Sequence, residues 1–323
     1  MQRTFFVVGP TATGKSDLAS DVANQIGAEI VSADAFQIYR GLDILTAKPD
    51  AATLAKVPHH LIGTTPLREE MNVEKYLRAA SHAIEEIHWR GKVAIVVGGS
   101  GLYVKALTHG LTPLPQSDPK LREKLNAMSS DELCRQLSDL DPQAVQKIDM
   151  KNRRRVVRAL EICLLTGKPV STQRDQWTVA AGADPRGRGS VRPRSAPAAT
   201  GIFVYRDREE LYARINRRVE TMFESGVIEE VRGAGEVSAT AAQMIGFREI
   251  HQLLQGKISI SQSMAAIQQA TRRYSKRQLT WFRRQTNFLS LNLSLLTHRE
   301  AVNYVLLRVR PEARKVSRVR SKE

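Results

Sequence analysis

The chain has 323 residues, 42% apolar and 25% charged, enough to bury a full core and to build a second, smaller domain. It contains no apolar run long enough to span a bilayer, and with a strand expected from Thr4 no signal peptide is expected ahead of it. The net charge of +16 (49 basic against 33 acidic residues) is more than a small-molecule kinase needs; it points to a polyanionic partner, nucleic acid first, or else to a generally basic surface.

Thr4 to Val8 reads as a buried strand and Lys15 to Ile26 as an amphipathic helix. Between them stands Gly9-Pro10-Thr11-Ala12-Thr13-Gly14-Lys15-Ser16, the G-x-x-x-x-G-K-S spacing in the strand-to-helix setting that a phosphate-binding loop requires. The glycines let the backbone curl so that amides and the helix N-terminus face an anion. Lys15 would reach the outer phosphates and Ser16 would ligate Mg²⁺. The loop reports a polyphosphate without saying which molecule carries it.

A second strand is expected over residues 28–32, ending at Asp34, then a helix over 73–90, a buried strand over 93–97, and a helix after Gly98-Gly99-Ser100-Gly101. This alternation predicts an α/β fold, a parallel sheet flanked by helices. From Pro113 to Gly167 the alternation stops. Residues 119–166 are helical in pattern, 180–199 form a Gly/Pro/Ala/Arg linker, and strand character returns at 202–205. Helical patterns follow at 207–225, 241–255 and 261–285. The expected organisation is a core of residues 1–112 and 200–305, a helical insertion at 113–199, and a basic tail at 306–323, disordered at its end. Cys134 and Cys163 fall in helical patterns and read as reduced thiols of a cytoplasmic protein.

Asp34 follows the second strand at its carboxyl end, where open α/β sheets bind ligands. A carboxylate there suits metal binding or proton transfer, or serves as an Asx-turn or helix-capping residue. The Val96-to-Tyr103 segment lacks the strand-end acid with which motor-type ATPases hold Mg²⁺ and water, and Ser100 offers only a hydroxyl. Pro58-His59-His60 has no Cys/His cluster around it, so a loop or core role is expected in place of a zinc site. Two basic clusters stand out: Asn152-Arg153-Arg154-Arg155 with Arg158, and Arg272, Arg273, Lys276, Arg277, Arg283 and Arg284 interleaved with Tyr274, Trp281 and Phe282. Arginine with aromatic faces suits RNA, and the alternative is a solvated basic face with the aromatics in the core.

In order along roughly residues 5–285, these and further runs resemble the tRNA dimethylallyltransferases, also called tRNA isopentenyltransferases or the IPP transferase family. The matching runs are 9–16, Ser32 to Tyr39, Asp43 to Pro49, Pro58 to Ile62, and Gly98 to Tyr103; then Asp118-Pro119 with Arg122, Asn152 to Arg154 into Arg158 to Glu161, Ile245 to Glu249, and Thr271 to Arg283. The resemblance implies a P-loop nucleoside-triphosphate-hydrolase-like fold with a tRNA-binding helical insertion. The implied activity moves a dimethylallyl group from dimethylallyl diphosphate to the exocyclic amine of the adenosine just 3′ of the anticodon. The tRNAs are those reading codons that begin with U; the products are isopentenyladenosine and diphosphate. A monomer working with Mg²⁺ is implied. The loop Gly9, Pro10, Thr11, Ala12, Thr13, Gly14, Lys15 and Ser16 would hold the donor diphosphate rather than ATP, helped by Arg214 and Arg218. Asp34 matches the family's general base, and Ser100 stands near the reacting centre, where threonine is usual. Contacts to tRNA are implied for Asp34, Ala35, Phe36, Gln37, Ser100, Arg122, Arg154, Arg155, Val156, Val157, Arg158, Gln243, Met244, Ile245, Gly246, Phe247 and Arg248. Besides Ser100 for threonine, three positions depart from the family pattern: Ala35 for serine, Leu45 for glycine, and Gly63 for aspartate. An adenylate isopentenyltransferase, a P-loop small-molecule kinase and an RNA-binding module with a degenerate loop are the alternatives. The basic insertion argues against the first, and intact Lys15, Ser16 and Asp34 against the last.

Overall fold

Strand β1 (Thr4–Val8) is apolar on both sides because both sides are covered. Phe5 and Val7 enter one cluster of buried residues and Phe6 and Val8 another. With β2 (Glu29–Ser32), β3 (His59–His60), β4 (Ala94–Gly98), β5 (Thr200–Tyr205) and β6 (Leu289–Asn292) it forms one sheet in the order β3-β2-β4-β1-β5-β6. Every pairing is parallel. The computed structural model describes residues 4–111, 114–173, 200–284 and 288–320. The linker expected at 180–199 lies outside the described residues.

All carboxyl ends of a parallel sheet lie on one edge. β1 is central, so the loop after it opens at the middle of that edge. Helix α1 (Lys15–Ile26) starts directly after Gly14, whose φ of 88° only glycine adopts readily, and ends at Gly27 in the same left-handed region. Helix α2 (Val73–Trp89) is capped by Asn72 and buries Tyr76, Ala80, Ala83 and Ile87, the face that its spacing predicts. Near the opposite edge Glu29 is buried between His60, Arg90 and Lys92 at 2.7–3.0 Å. Burial alone would raise its carboxyl; the hydrogen bonds outweigh that and hold it at about 2.

The chain divides into two compact units, residues 1–108 with 195–323, and residues 109–194. The second unit has its own core, including Leu125, Leu133, Leu137, Leu160 and Cys163. Its helices are marked by local caps. Asp118 and Pro119 open one at Pro119–Ala127, a Ser129/Glu132 capping box opens Ser130–Leu140, and Asn152 opens Arg153–Thr166, which ends at Gly167.

Several expectations are corrected. The helix expected over 241–255 is a 3₁₀ turn at Ala241–Gln243 followed by a helix only at Phe247–Leu254, because Gly246 takes φ 98°. The tail expected from residue 306 is not separate: the last helix runs His298–Arg320, and Val305, Leu306 and Val309 are buried in the core. Its apolar stripe ties the start of the basic segment to the sheet. The helices Ala51–Lys56 and Val227–Arg232 and the strands β3 and β6 carry too few residues to show a period and went unforeseen.

Candidate active site

The loop after β1 is held from outside by side chains that converge from distant segments. Arg206 Nε donates to the Thr13 carbonyl at 2.9 Å and Arg214 Nε to the Ala12 carbonyl at 2.8 Å. Arg218 Nη1 donates to Thr11 Oγ1 at 3.0 Å, and Gln278 Oε1 accepts the Thr11 N–H at 2.9 Å. Arg214 and Arg218 lie one turn apart on the helix Arg208–Glu224 and so share a face. Ala12 itself has φ 64°, a strained conformation for a residue with a side chain, which these contacts stabilise.

Lys15 and Ser16, at the helix start, line one cleft of about 350 Å³ with Asp34. Ile30, Ile62 and Val97 give the cleft an apolar wall, and Ser32, Gln37 and His59 add polar groups. Lys15 is half-buried. Burial pushes its ammonium down to about 8; Asp34 works against that fall and Arg218 adds to it. Burial likewise lowers the Arg218 guanidinium, with Asp34 opposing.

Asp34 makes an Asx turn: its Oδ1 accepts the N–H groups of Phe36 at 3.0 Å and Gln37 at 3.3 Å. Oδ2 stays out of the turn. These bonds show the Asx-turn reading of Asp34, and the turn holds its carboxylate at the cleft. Burial pushes the phenols of Tyr76, Tyr103 and Tyr274 up, and the charge on Asp34 adds to the shift, so these tyrosines remain neutral around it.

Ser100 is brought to Asp34 by the backbone: its N–H donates to the Ala33 carbonyl at 3.1 Å. The Gly9 N–H donates to the Gly98 carbonyl at 3.2 Å, so the ends of β1, β2 and β4 are laced together. Gln278 Nε2 completes the lacing with a 2.9 Å bond to the Gly99 carbonyl. A Cβ on Gly99 would lie 2.2 Å from that nitrogen, so this turn accepts only glycine.

Two of the departures from the family pattern, Leu45 and Gly63, have local explanations. Leu45 is buried, and its Cδ1 would stand 2.8 Å from a Cβ on residue 246, where the chain has glycine. Gly63, at φ 63°, lies 3.7 Å (from its ideal Cβ) from Lys48 Nζ, and Lys48 pairs with Asp43 and with the carbonyls of Tyr39 and Gly41. Ala35 is half-buried and packs against the core.

Among the residues expected at tRNA, burial separates two groups. Phe36, Gln37 and Ser100 are half-buried, and Gln243, Arg248, Arg154 and Arg155 are exposed. The Val156 and Val157 side chains are buried in the core of the second unit, because that face of helix Arg153–Thr166 packs inward. Met244 and Phe247 are buried likewise, being 3% and 8% exposed. Ile245 packs partly against the same core, and Gly246 is the left-handed residue before the helix. Arg122 and Arg158 pair with fully buried Glu161 at 3.3 and 2.5 Å. Arg153 donates to the Asn126 and Met128 carbonyls.

Arg206, Gln278 and Glu230 were missed. Glu230 accepts the N–H groups of Ile44 and Leu45, both at 2.8 Å, and holds the segment whose Thr46 carbonyl Arg218 also reaches. Gln278 had a signal: it is a polar residue on the inward face of its helix, with Ser275 and Phe282. Arg206 had none. Among the described residues no group of three or more His, Cys, Asp or Glu side chains could hold a metal ion. His59 Nδ1 instead meets the Val57 carbonyl and His60 Nε2 meets Glu29, both at 2.8 Å.

Comparison with known proteins identifies the scaffold. The family model described as IPP transferase matches residues 37–285. A tRNA dimethylallyltransferase 1 of Citrifermentans bemidjiense is 43% identical over 284 residues, covering 86% of this chain and 88% of the relative. One from Akkermansia muciniphila is 42% identical over 282 residues, covering 87% and 90%. The solved full-length tRNA isopentenylpyrophosphate transferase of Bacillus halodurans superposes with a TM-score of 0.69 at 32% identity, over 99% of this chain and 100% of that one. A eukaryotic dimethylallyltransferase solved while acting on tRNA superposes at 0.71 and 25% identity, over 90% and 74%. With a P-loop-type parallel sheet and these similarities spanning most of its length, the chain belongs to the IPP transferase family of tRNA dimethylallyltransferases.

Proposed function

We propose that this chain moves a dimethylallyl group from dimethylallyl diphosphate to the exocyclic amine of the adenosine 3′-adjacent to the anticodon. The substrates would be tRNAs reading codons that begin with U; the chain would act in the cytoplasm as a monomer. The observation that carries the reading is a carboxylate and a phosphate loop on one cleft: Asp34 faces Lys15 and Ser16 there. A carboxylate so placed suits phosphoryl transfer to a hydroxyl as well as alkylation of a weak amine; membership of the IPP transferase family favours alkylation.

The steps follow from the residues. The adenine amine attacks the allylic carbon, and the carbon–oxygen bond to diphosphate breaks. Negative charge grows on the leaving group, where loop amides and the Lys15 ammonium stabilise it. Arg214 and Arg218 keep the loop in shape and add positive charge to it. The amine's lone pair is delocalised into the ring, so it needs to lose a proton as the new bond forms. Oδ2 of Asp34 takes that proton. The Ser16 hydroxyl, an oxygen donor at the helix start, would help hold Mg²⁺, which prefers oxygen ligands. When bound, Mg²⁺ would neutralise charge on the diphosphate. The target base leaves its stack to reach the cleft, and exposed Arg154, Arg155, Gln243 and Arg248 are candidates to hold the anticodon arm.

The test is Asp34→Asn. Asparagine keeps the turn's acceptor oxygen but takes no proton. The single-turnover rate with pre-bound tRNA should fall by about a hundred- to ten-thousand-fold, with an unchanged melting curve and little change in binding of either substrate. A folded variant with the wild-type rate removes Asp34 as the base. Incubating the wild type with labelled dimethylallyl diphosphate and either tRNA or AMP separates this reading from an adenylate isopentenyltransferase.

A further inference from the structure

We propose that Gln278 is a positioning residue that couples the donor side of the cleft to its acceptor side; the proposal rests on the functional reading above. Its carboxamide accepts the Thr11 N–H through Oε1 and donates to the Gly99 carbonyl through Nε2, both at 2.9 Å. Thr11 belongs to the phosphate loop. Gly99 precedes Ser100, whose N–H is fixed to Ala33, the neighbour of Asp34. One side chain therefore spans from the segment that holds the leaving group to the segment that delivers the acceptor-side hydroxyl and flanks the base.

The chemistry of this span is specific to an amide. A carboxylate accepts from Thr11 but cannot donate to Gly99, and an ammonium does the reverse. Gln278 is 5% exposed, so no bulk water stands ready to replace either bond. The bare Gly99 is what permits the approach, since a Cβ there would meet Nε2 at 2.2 Å. Tyr274 stands one turn earlier on the helix Ile260–Arg283, on the same face as Gln278. The Gly9 to Gly98 backbone bond already joins the two segments at their base. Gln278 sets the spacing of their tips, where the reacting groups sit. An error of about 1 Å between reacting groups costs on the order of a hundred-fold in rate.

The test is Gln278→Glu, read in two ways. First, single-turnover transfer with both substrates pre-bound is measured against pH, as the ratio of variant to wild type. The ratio is expected near one hundredth at high pH, where the new carboxylate faces the Gly99 carbonyl, and to rise as pH falls and the protonated acid regains its donor. Michaelis constants should move by no more than a few-fold. Second, amide hydrogen exchange is followed with inorganic diphosphate alone. In the wild type diphosphate should slow exchange in both 11–16 and 99–104; in the variant at high pH it should slow only 11–16. This second arm needs no turnover, so an inactive wild type would sink the functional reading and leave the coupling still tested. Gln278→Met, which keeps the bulk and loses both bonds, serves if the glutamate variant fails to fold, and should show the uncoupled exchange pattern at every pH. A wild-type rate per folded molecule, a loss independent of pH in Gln278→Glu, or protection at 99–104 that survives the substitution overturns the proposal.

Discussion

Two sets of arginines serve this molecule in opposite ways. In the second unit Arg153, Arg154, Arg155 and Arg158 sit within six residues and look like one nucleic-acid patch. Two of them are scaffold: Arg153 ties carbonyls at the end of a neighbouring helix and Arg158 neutralises buried Glu161. Only Arg154 and Arg155 face solvent. In the first unit Arg206, Arg214 and Arg218 are scattered over thirteen positions and form no cluster; the family resemblance points to the last two alone, yet all three close on the phosphate loop. Clustering along the chain is therefore a poor guide to shared purpose. A guanidinium is committed by the acceptors it meets, and a buried carboxylate or an unpaired carbonyl outcompetes a potential ligand.

The sharpest way to break this contrast is Arg218→Ala. It removes a desolvated charge that touches Thr11 and reaches the Thr46 carbonyl. Turnover should fall by about a hundred- to a thousand-fold, as for loss of one leaving-group stabiliser, with tRNA affinity retained; single-turnover rates and a tRNA titration check both halves. Equal loss of donor and tRNA binding would mean that the residue supports the whole fold.

The next effect is a pH limb. Lys15 is charged below about 8 in the free enzyme and neutral above it. The affinity for diphosphate should therefore decline about tenfold per pH unit above that value, in proportion to the remaining ammonium. Titrating inorganic diphosphate against pH measures it, and Lys15→Arg should remove the decline within the same range.

A smaller effect separates scaffold from patch in the second unit. Glu161 is buried with Ser117, Arg122 and Arg158. Burial alone would raise its carboxyl, and the hydrogen bonds of Ser117 and Arg158 with the charge of Arg122 lower it on balance. A depressed carboxylate stabilises the fold above its unfolded pKa and loses that stabilisation as pH falls through its folded one. Glu161→Gln should cost on the order of 2 kcal/mol at neutral pH, less than a fully buried pair because the arginines keep 28% and 40% of their exposure. Acid unfolding curves of the two proteins should converge at low pH.

The smallest effect on stability, and the clearest on RNA, belongs to Arg154→Ala with Arg155→Ala. Melting should not move, since both side chains are exposed. If they meet phosphates, the slope of log affinity for tRNA against log salt should flatten by roughly 0.7–0.9 per contact. Arg153→Ala should do the reverse, lowering the melting temperature with little change of slope.

Some of this protein was legible without coordinates. The phosphate loop, the strands β1, β2, β4 and β5, and the helices at 73–89, 119–166 and 208–224 rest on local rules: period, caps, and glycine at positive φ. Asp34 was legible by its place after a strand. Short elements were not, because two to six residues carry no period. Nor were the roles of Val156, Val157, Met244 and Phe247, whose burial depends on which helix face finds a partner. The phosphate loop is a property of eight consecutive residues, so the chain alone determined it. The grip on that loop joins Thr11 to residues 207 and 267 positions away, and the match of Gln278 to Gly99 spans 179. No local propensity encodes such pairs. They exist because a parallel sheet gathers the ends of β1, β2 and β4 at one edge and the core holds the helices of Arg214, Arg218 and Gln278 against them, leaving buried amides and carbonyls that only these side chains satisfy.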